Sequence, residues 1–486
     1  MTQEQHLQVC VSKHSEQSKQ DYRVRLPSSV KCIQLLLRQG LAFRGNDESY
    51  DSLNRGNILE LLKFLADNNE DVGRAVMRNA PENHQMTSPY IQKDIVNAIA
   101  SETTEMIIND LGGELFGIIV DESRDISVKE QMIVFIRYVD SSGHIIERLL
   151  GITHVRDTTS MSLKVAIENL LTRHGLSISR IRGQGYDGAS NMRALVGVVK
   201  ENEDVGDFFV TVSQLCNIIC DSLIDVFDEL RQDLKQRLEA FRDVLAITKD
   251  LSQALQRKDQ NIVNAMRLVD VSKQRLQMMR DDGWEALLKE VSLFCNKNAI
   301  SIANMDEVYV VHGRPRRNVE ERTHLHRYRV ERFCVVLDLQ LQELNNHFNE
   351  KNTELLLCVA CFDPMNSFAM FDKHKLIRLA QFYPNDFSDI ELALLDNQLQ
   401  TYFIDVSSDP VFSKLDGIDE LAQKLVETRR HLDYTLVYLL LKLSLILPVA
   451  TASVERAFSA MKLIKTSLRN RMSDDFLHDF LVPYVE

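Results

Sequence analysis

Hydrophobic positions change period along the chain, and the changes divide it. Residues 1–30 are polar without a periodic apolar pattern and predict a mobile tail. Apolar residues then recur at helical spacing in VKCIQLLLRQGLAF and NILELLKFLADNNEDVGRAVM, separated by a polar loop with Gly45, Asn46 and Asp47. A further helix is predicted over 88–111, with Ser88 as cap and Pro89 in the first turn. The pattern next becomes continuously apolar in LFGIIVD (115–121), as in a strand buried on both faces. QMIVFIRYVD and HIIERLLGITH follow as a hairpin through Ser141, Ser142 and Gly143. An amphipathic helix over 159–174 stops at Gly175, and ISRIRGQGY reads as a fourth strand. Strand, strand, strand, helix, strand permits a mixed sheet with the first and fourth strands adjacent and both ending in acidic residues.

From about 201 to 350 the chain reads as long polar helices with a loop near 299–317, followed by helical segments at 351–382 and 388–402. The longest apolar run, Tyr434 to Leu447, contains Lys442 and falls short of the roughly 18 to 20 residues that span a bilayer, so it predicts a buried helix and no membrane partner. At 486 residues the chain exceeds one ordinary domain and suggests two or three units. The N-terminus has no apolar secretory core, and the eight scattered cysteines fit reduced thiols inside a cell. Cys358 and Cys361 form a C-x-x-C within LLLCVACF, whose apolar flanks favour a buried helix over a metal site.

Charge narrows the options. The formal net charge of -13 repels a nucleic-acid backbone, so any such contact needs a local basic surface. Two strips qualify: residues 313–332, net +4, which include Arg314, Arg316 and Arg317, and residues 456–471, net +5, with Arg456, Lys462, Lys465, Arg469 and Arg471. Phosphate contact and an ordinary solvated face are both open readings.

Three carboxylates are candidates for chemistry. Asp121 ends a predicted buried strand, Asp187 follows the fourth strand in RGQGYDGASNM, and Glu455 lies in the first turn of a helix that Thr451 or Ser453 could cap. Strand-end carboxylates can share divalent cations, and a third completes a two-metal site about 4 Å across. The plain alternative is that all three are turn formers and caps.

The segments FRGNDESYDSLNRGNILELL, TSPYIQKDIVNAIA, IIVDESRDISVKEQM, IRGQGYDGASNMR, LSQALQRKDQNIVNAM and PVATASVERAFSAMKLIKTSLRNRM, in this order, resemble the hAT superfamily of DNA transposases. The likeness is strongest to domesticated proteins described as TTF-type zinc finger proteins with a hAT dimerisation domain. It implies an α/β, RNase H-like fold interrupted by a long helical insertion, with a helical N-terminal lead. The parts would be a DUF4371-like start over 31–112, the first RNase H-like part over 113–200, the insertion over 201–384 and the C-terminal dimerisation region over 385–486. In such transposases an Asp-Asp-Glu triad binds Mg²⁺, and the motifs place it on Asp121, Asp187 and Glu455. The resemblance also implies a nuclear protein that forms a homodimer through the C-terminal region, with Leu439, Leu440, Leu443, Leu445, Phe458 and Met461 as interface candidates, and DNA as a further partner.

The departures matter too. After Asn191-Met192-Arg193, relatives continue into a C-x-x-H stretch, whereas this chain passes through ALVG into VVKENEDVGDFF. Its single Trp284 does not match the family's Arg-Trp element, and the N-terminal zinc finger is not in the sequence. These losses favour a non-catalytic relative that dimerises and binds nucleic acid weakly. A residual Mg²⁺-dependent nuclease or strand transferase, and an inert fragment of a decayed element, are the alternatives.

Overall fold

The structure is a computed structural model that describes residues 3–49, 51–80, 85–157, 159–186, 247, 250–251, 262–297, 304–308, 323–347, 350–448 and 451–486. Four strands form its only described sheet: β1 (Phe116–Arg124), β2 (Glu130–Val139), β3 (Ile145–Val155) and β4 (Ile181–Tyr186). Their order is β3-β2-β1-β4, with β1 antiparallel to β2 and parallel to β4. The adjacency expected of the first and fourth strands is therefore present. Asp140 closes the β2–β3 hairpin, its carboxylate accepting from the Ser142 and His144 backbone N–H groups at 2.9 and 2.7 Å.

Both faces of the sheet are covered, which is why its central strands read as unbroken apolar runs. Ile118, Val120, Val134 and Ile136 pack against α4 (Pro89–Leu111) and α5 (Ser160–Arg173). Ile119, Ile133, Phe135, Leu149 and Ile152 face the other way. There they meet α1 (Gln3–Arg38), α2 (Asn57–Asn68) and two helices from the far end of the chain, α13 (Ala452–Ile464) and α14 (Asp474–Val485).

The N-terminal segment departs from expectation. Residues 3–30 continue α1 through Pro27, and Arg25, Ser28 and Ser29 are buried, so a mobile tail to residue 30 is not observed. Elongating a helix already anchored by Cys32, Ile33, Leu36 and Leu37 costs little, whatever the polarity upstream.

Between β4 and α13 lies a second, all-helical cluster. It contains α6 (Ile262–Lys297), α7 (Val335–His347), α8 (Glu350–Val359), α9 (Lys373–Gln381), α10 (Asp389–Ser408), α11 (Ile418–Glu427) and α12 (Thr435–Leu445) around Trp284, Phe333, Leu399, Tyr402 and Leu440. Most of the segment 201–261 lies outside the described residues. Cys358 and Cys361 are buried here, and burial pushes the Cys358 thiol up to about 11. Among the described residues, no helix is long and apolar enough to cross a membrane.

Candidate functional site

The site begins where the C-terminal chain crosses the sheet. A methyl group on Gly117 would lie 2.5 Å from the Ile446 carbonyl oxygen, and one on Gly185 2.9 Å from the Pro448 ring. Gly183 is nearly as tight, 3.1 Å from both. These glycines give the 446–448 segment its backbone approach to β1 and β4. Gly183 and Gly185 both lie inside β4. Their alternate spacing in G-x-G, one residue on each pleat of the same face, was the available signal.

Past Pro448 the chain enters α13. Two buried ionic groupings hold this helix at its ends. At the start, Ser453 donates to Glu147, which pairs with Arg137 at 2.5 Å; those two side chains are 6% and 2% exposed. Arg137 also donates through Nε to the Leu445 carbonyl at 3.0 Å, tying β2 and β3 to the end of α12. At the other end, Lys465 reaches Asp125 in the β1–β2 turn at 2.6 Å, both side chains sealed from solvent. Asp125 further accepts from Gln131 Nε2 and the backbone N–H groups of Ser127 and Lys129. Burial alone would raise its pKa, but these donors, Lys465 foremost, hold it below the usual carboxylate range.

The candidate carboxylates are arranged accordingly. Asp121 pairs with Ile133 within β1, three residues before the strand ends, and shares a face with Ile119. That is the face covered by the Glu455 helix, whose Val454 and Phe458 pack in the same cluster as Ile119 and Ile133. Glu455 is half-buried in the first turn of α13 and accepts from Thr451 Oγ1 at 3.3 Å; Thr451 holds the cap position without a side-chain cap hydrogen bond. Asp121 Oδ1 accepts from the Glu122 N–H at 2.7 Å. Asp187 lies outside the described residues; β4 is described to Tyr186, which pairs with Val120. Both described carboxylates are hard oxygen donors suited to Mg²⁺. Among the described residues, no three His, Cys, Asp or Glu side chains gather at metal-binding distances.

The basic strip at 456–471 divides. Lys465 is consumed by Asp125, and Arg469 is half-buried, donating to the Gly40 carbonyl at 2.8 Å with its guanidinium 5.1 Å from the Phe480 ring centroid. Lys465, sealed from solvent, is not available to a phosphate, and Arg469 serves the packing against Gly40 and Phe480. Arg456, Lys462 and Arg471 are exposed, Arg456 donating to Ser453 Oγ at 2.9 Å. Arg314, Arg316 and Arg317 lie outside the described residues.

Residues 1–197, the sheet and its N-terminal helices, match the family described as a ZMYM1/FAM200, RNase-like domain (DUF4371). Residues 420–481 match the hAT family C-terminal dimerisation region. The chain carries both domains. Together they are consistent with a hAT-superfamily transposase-derived protein. The hAT dimerisation region supports homodimerisation through this end of the chain.

Within the hAT region, the interface candidates are mostly internal. Leu440, Leu443, Leu445, Phe458 and Met461 are each 5% exposed or less. The first three pack in the helical cluster, the last two against the sheet. Leu439 is half-buried beside Lys442 and Glu114. Apolar patterning identified a core stripe correctly but could not say which core it serves. No alternation distinguishes a side chain buried in its own subunit from one buried between subunits.

Proposed function

We propose that this hAT transposase-derived chain acts as a homodimeric scaffold on an RNase H-like frame and does not cut DNA. The observation that carries this reading is the buried clamping of α13. Arg137–Glu147 and Asp125–Lys465 join the dimerisation region to the RNase-like sheet, so a contact made by one is held rigidly to the other. The loss of the C-x-x-H stretch after Arg193 supports the non-catalytic part. Weak nucleic-acid binding, in a nuclear setting, would use Arg456, Lys462 and Arg471, with the 313–332 strip as a second contact.

Sedimentation of the full chain at micromolar concentration tests the scaffold, with a dimer expected. Incubation with transposon-end DNA and Mg²⁺ or Mn²⁺ tests the rest, with no cleavage expected. Cleavage that disappears in Asp187→Ala overturns the non-catalytic reading.

A second reading is favoured by the shared sheet face of Asp121 and the Glu455 helix. Here Asp121, Asp187 and Glu455 would hold Mg²⁺, which activates an attacking oxygen and stabilises a leaving oxygen on a phosphodiester. The chain's own part would be to fix Glu455 against the sheet through the two ionic groupings of α13.

A further inference from the structure

Helix α10 (Asp389–Ser408) lies just before the matched dimerisation region and has two contrasting faces. Leu395, Leu399, Tyr402 and Val406 are buried. Every exposed position from 390 to 408 is uncharged, in a chain whose net charge is -13. Three of them are large aliphatics, Ile390, Leu394 and Ile404, at 75%, 52% and 66% exposure. With Asn397 and Thr401 they fall at alternating steps of four and three residues, the spacing of a seam between two helices.

Three of the acids beside this seam have cationic partners within the subunit. Asp396 pairs with Lys373 at 2.8 Å, and Arg430 pairs with Asp405 at 2.9 Å and with Asp409 at 2.8 Å. The helix is also continuous with the dimerisation region, since Gln398 Oε1 accepts from the Leu436 N–H at 3.0 Å and Asp405 from the Tyr434 hydroxyl at 3.1 Å.

We propose that the outer face of α10 is the contact surface for a second copy of this chain, with the two helices antiparallel about a twofold axis at Asn397. This rests on the homodimer reading and adds the surface to it. A twofold contact sets each surface against itself, so an acidic chain must meet its copy where charge is absent or already paired. An axis at Asn397 sets Ile390 of one copy against Ile404 of the other, and Leu394 against Gln400, one residue from Thr401 of the seam. Antiparallel packing sets Asp389 near Asp405, which Arg430 already holds, whereas parallel packing would set Asp389 against itself.

The test is analytical ultracentrifugation of the full chain. Wild type is expected to dimerise, Leu394→Glu/Ile404→Glu to weaken association at least tenfold with unchanged circular dichroism and melting temperature, and Leu463→Glu, exposed on α13, to leave it intact. Asn397→Leu removes the polar residue from the seam and is expected to tighten the dimer several-fold, a result that needs no loss of folding. A wild-type monomer overturns the homodimer reading and this surface together. A dimer unaffected by Leu394→Glu/Ile404→Glu, or by Asn397→Leu, overturns the surface alone.

Discussion

Lys465 Nζ lies 2.6 Å from Asp125 Oδ2, and the two side chains are 1% and 0% exposed, although 340 residues separate them in sequence. A residue whose charge and position suggested phosphate contact instead closes an internal ion pair. Lys465→Met leaves a buried carboxylate without its counter-ion, so unfolding free energy should drop by about 3 to 5 kcal/mol. A surface lysine would move it by no more than about 0.5 kcal/mol. Urea unfolding of the two proteins decides between these outcomes.

The same carboxylate sets an acid limit on the fold. Asp125 is held below its ordinary pKa, so its contribution is complete above the unfolded value near about 4 and is lost as pH falls through the folded value. Asp474, accepting from Lys129 and Gln131, is lowered in the same direction but is a third exposed and counts for less. Stability should therefore rise with pH below about 4, and Asp125→Asn should flatten that slope. Melting temperatures measured from pH 2 to 6 would show it; parallel curves would remove Asp125 from the explanation.

Close passage of Ile446 and Pro448 over the sheet makes the strand glycines sensitive. Gly117→Ala puts a methyl 2.5 Å from a backbone oxygen and should cost about 1 to 3 kcal/mol. Gly113→Ala, with nothing within 4 Å of the added atom, should be neutral. Equal denaturation midpoints for the two variants would argue against the crossing.

Val128 occupies a left-handed backbone conformation, φ 62°, at an exposed position in the Asp125–Lys129 turn. A β-branched side chain is disfavoured there by about 1 to 2 kcal/mol. Val128→Asn should stabilise the protein by up to about 1 kcal/mol, read as a rise in melting temperature, because its short polar side chain tolerates this geometry.

Phosphate binding, if carried by the 456–471 strip, should divide its cations in the same way. Replacing Lys462 and Arg471 together by Ala should leave the melting temperature unchanged and lower the salt slope of DNA binding by up to about 2. An unchanged slope would exclude this face.

Local pattern alone determined the strands, their hairpin and the capped helix from Pro89, and it permitted the adjacency of β1 and β4. Those follow from periodicity, turn residues and the short list of permitted connections, all properties of neighbouring residues. The tertiary structure decided what the charged and small residues are for. Lys465 and Arg469 have the composition of a basic strip, but whether a cation meets solvent or Asp125 depends on chain returning from hundreds of residues away. Gly183 and Gly185 have no visible use until the 446–448 segment is laid across them. Leu440 and Met461 were legible as apolar contacts, but which surface they touch was not, since one-dimensional patterning records that a side chain leaves water and is silent about the company it joins.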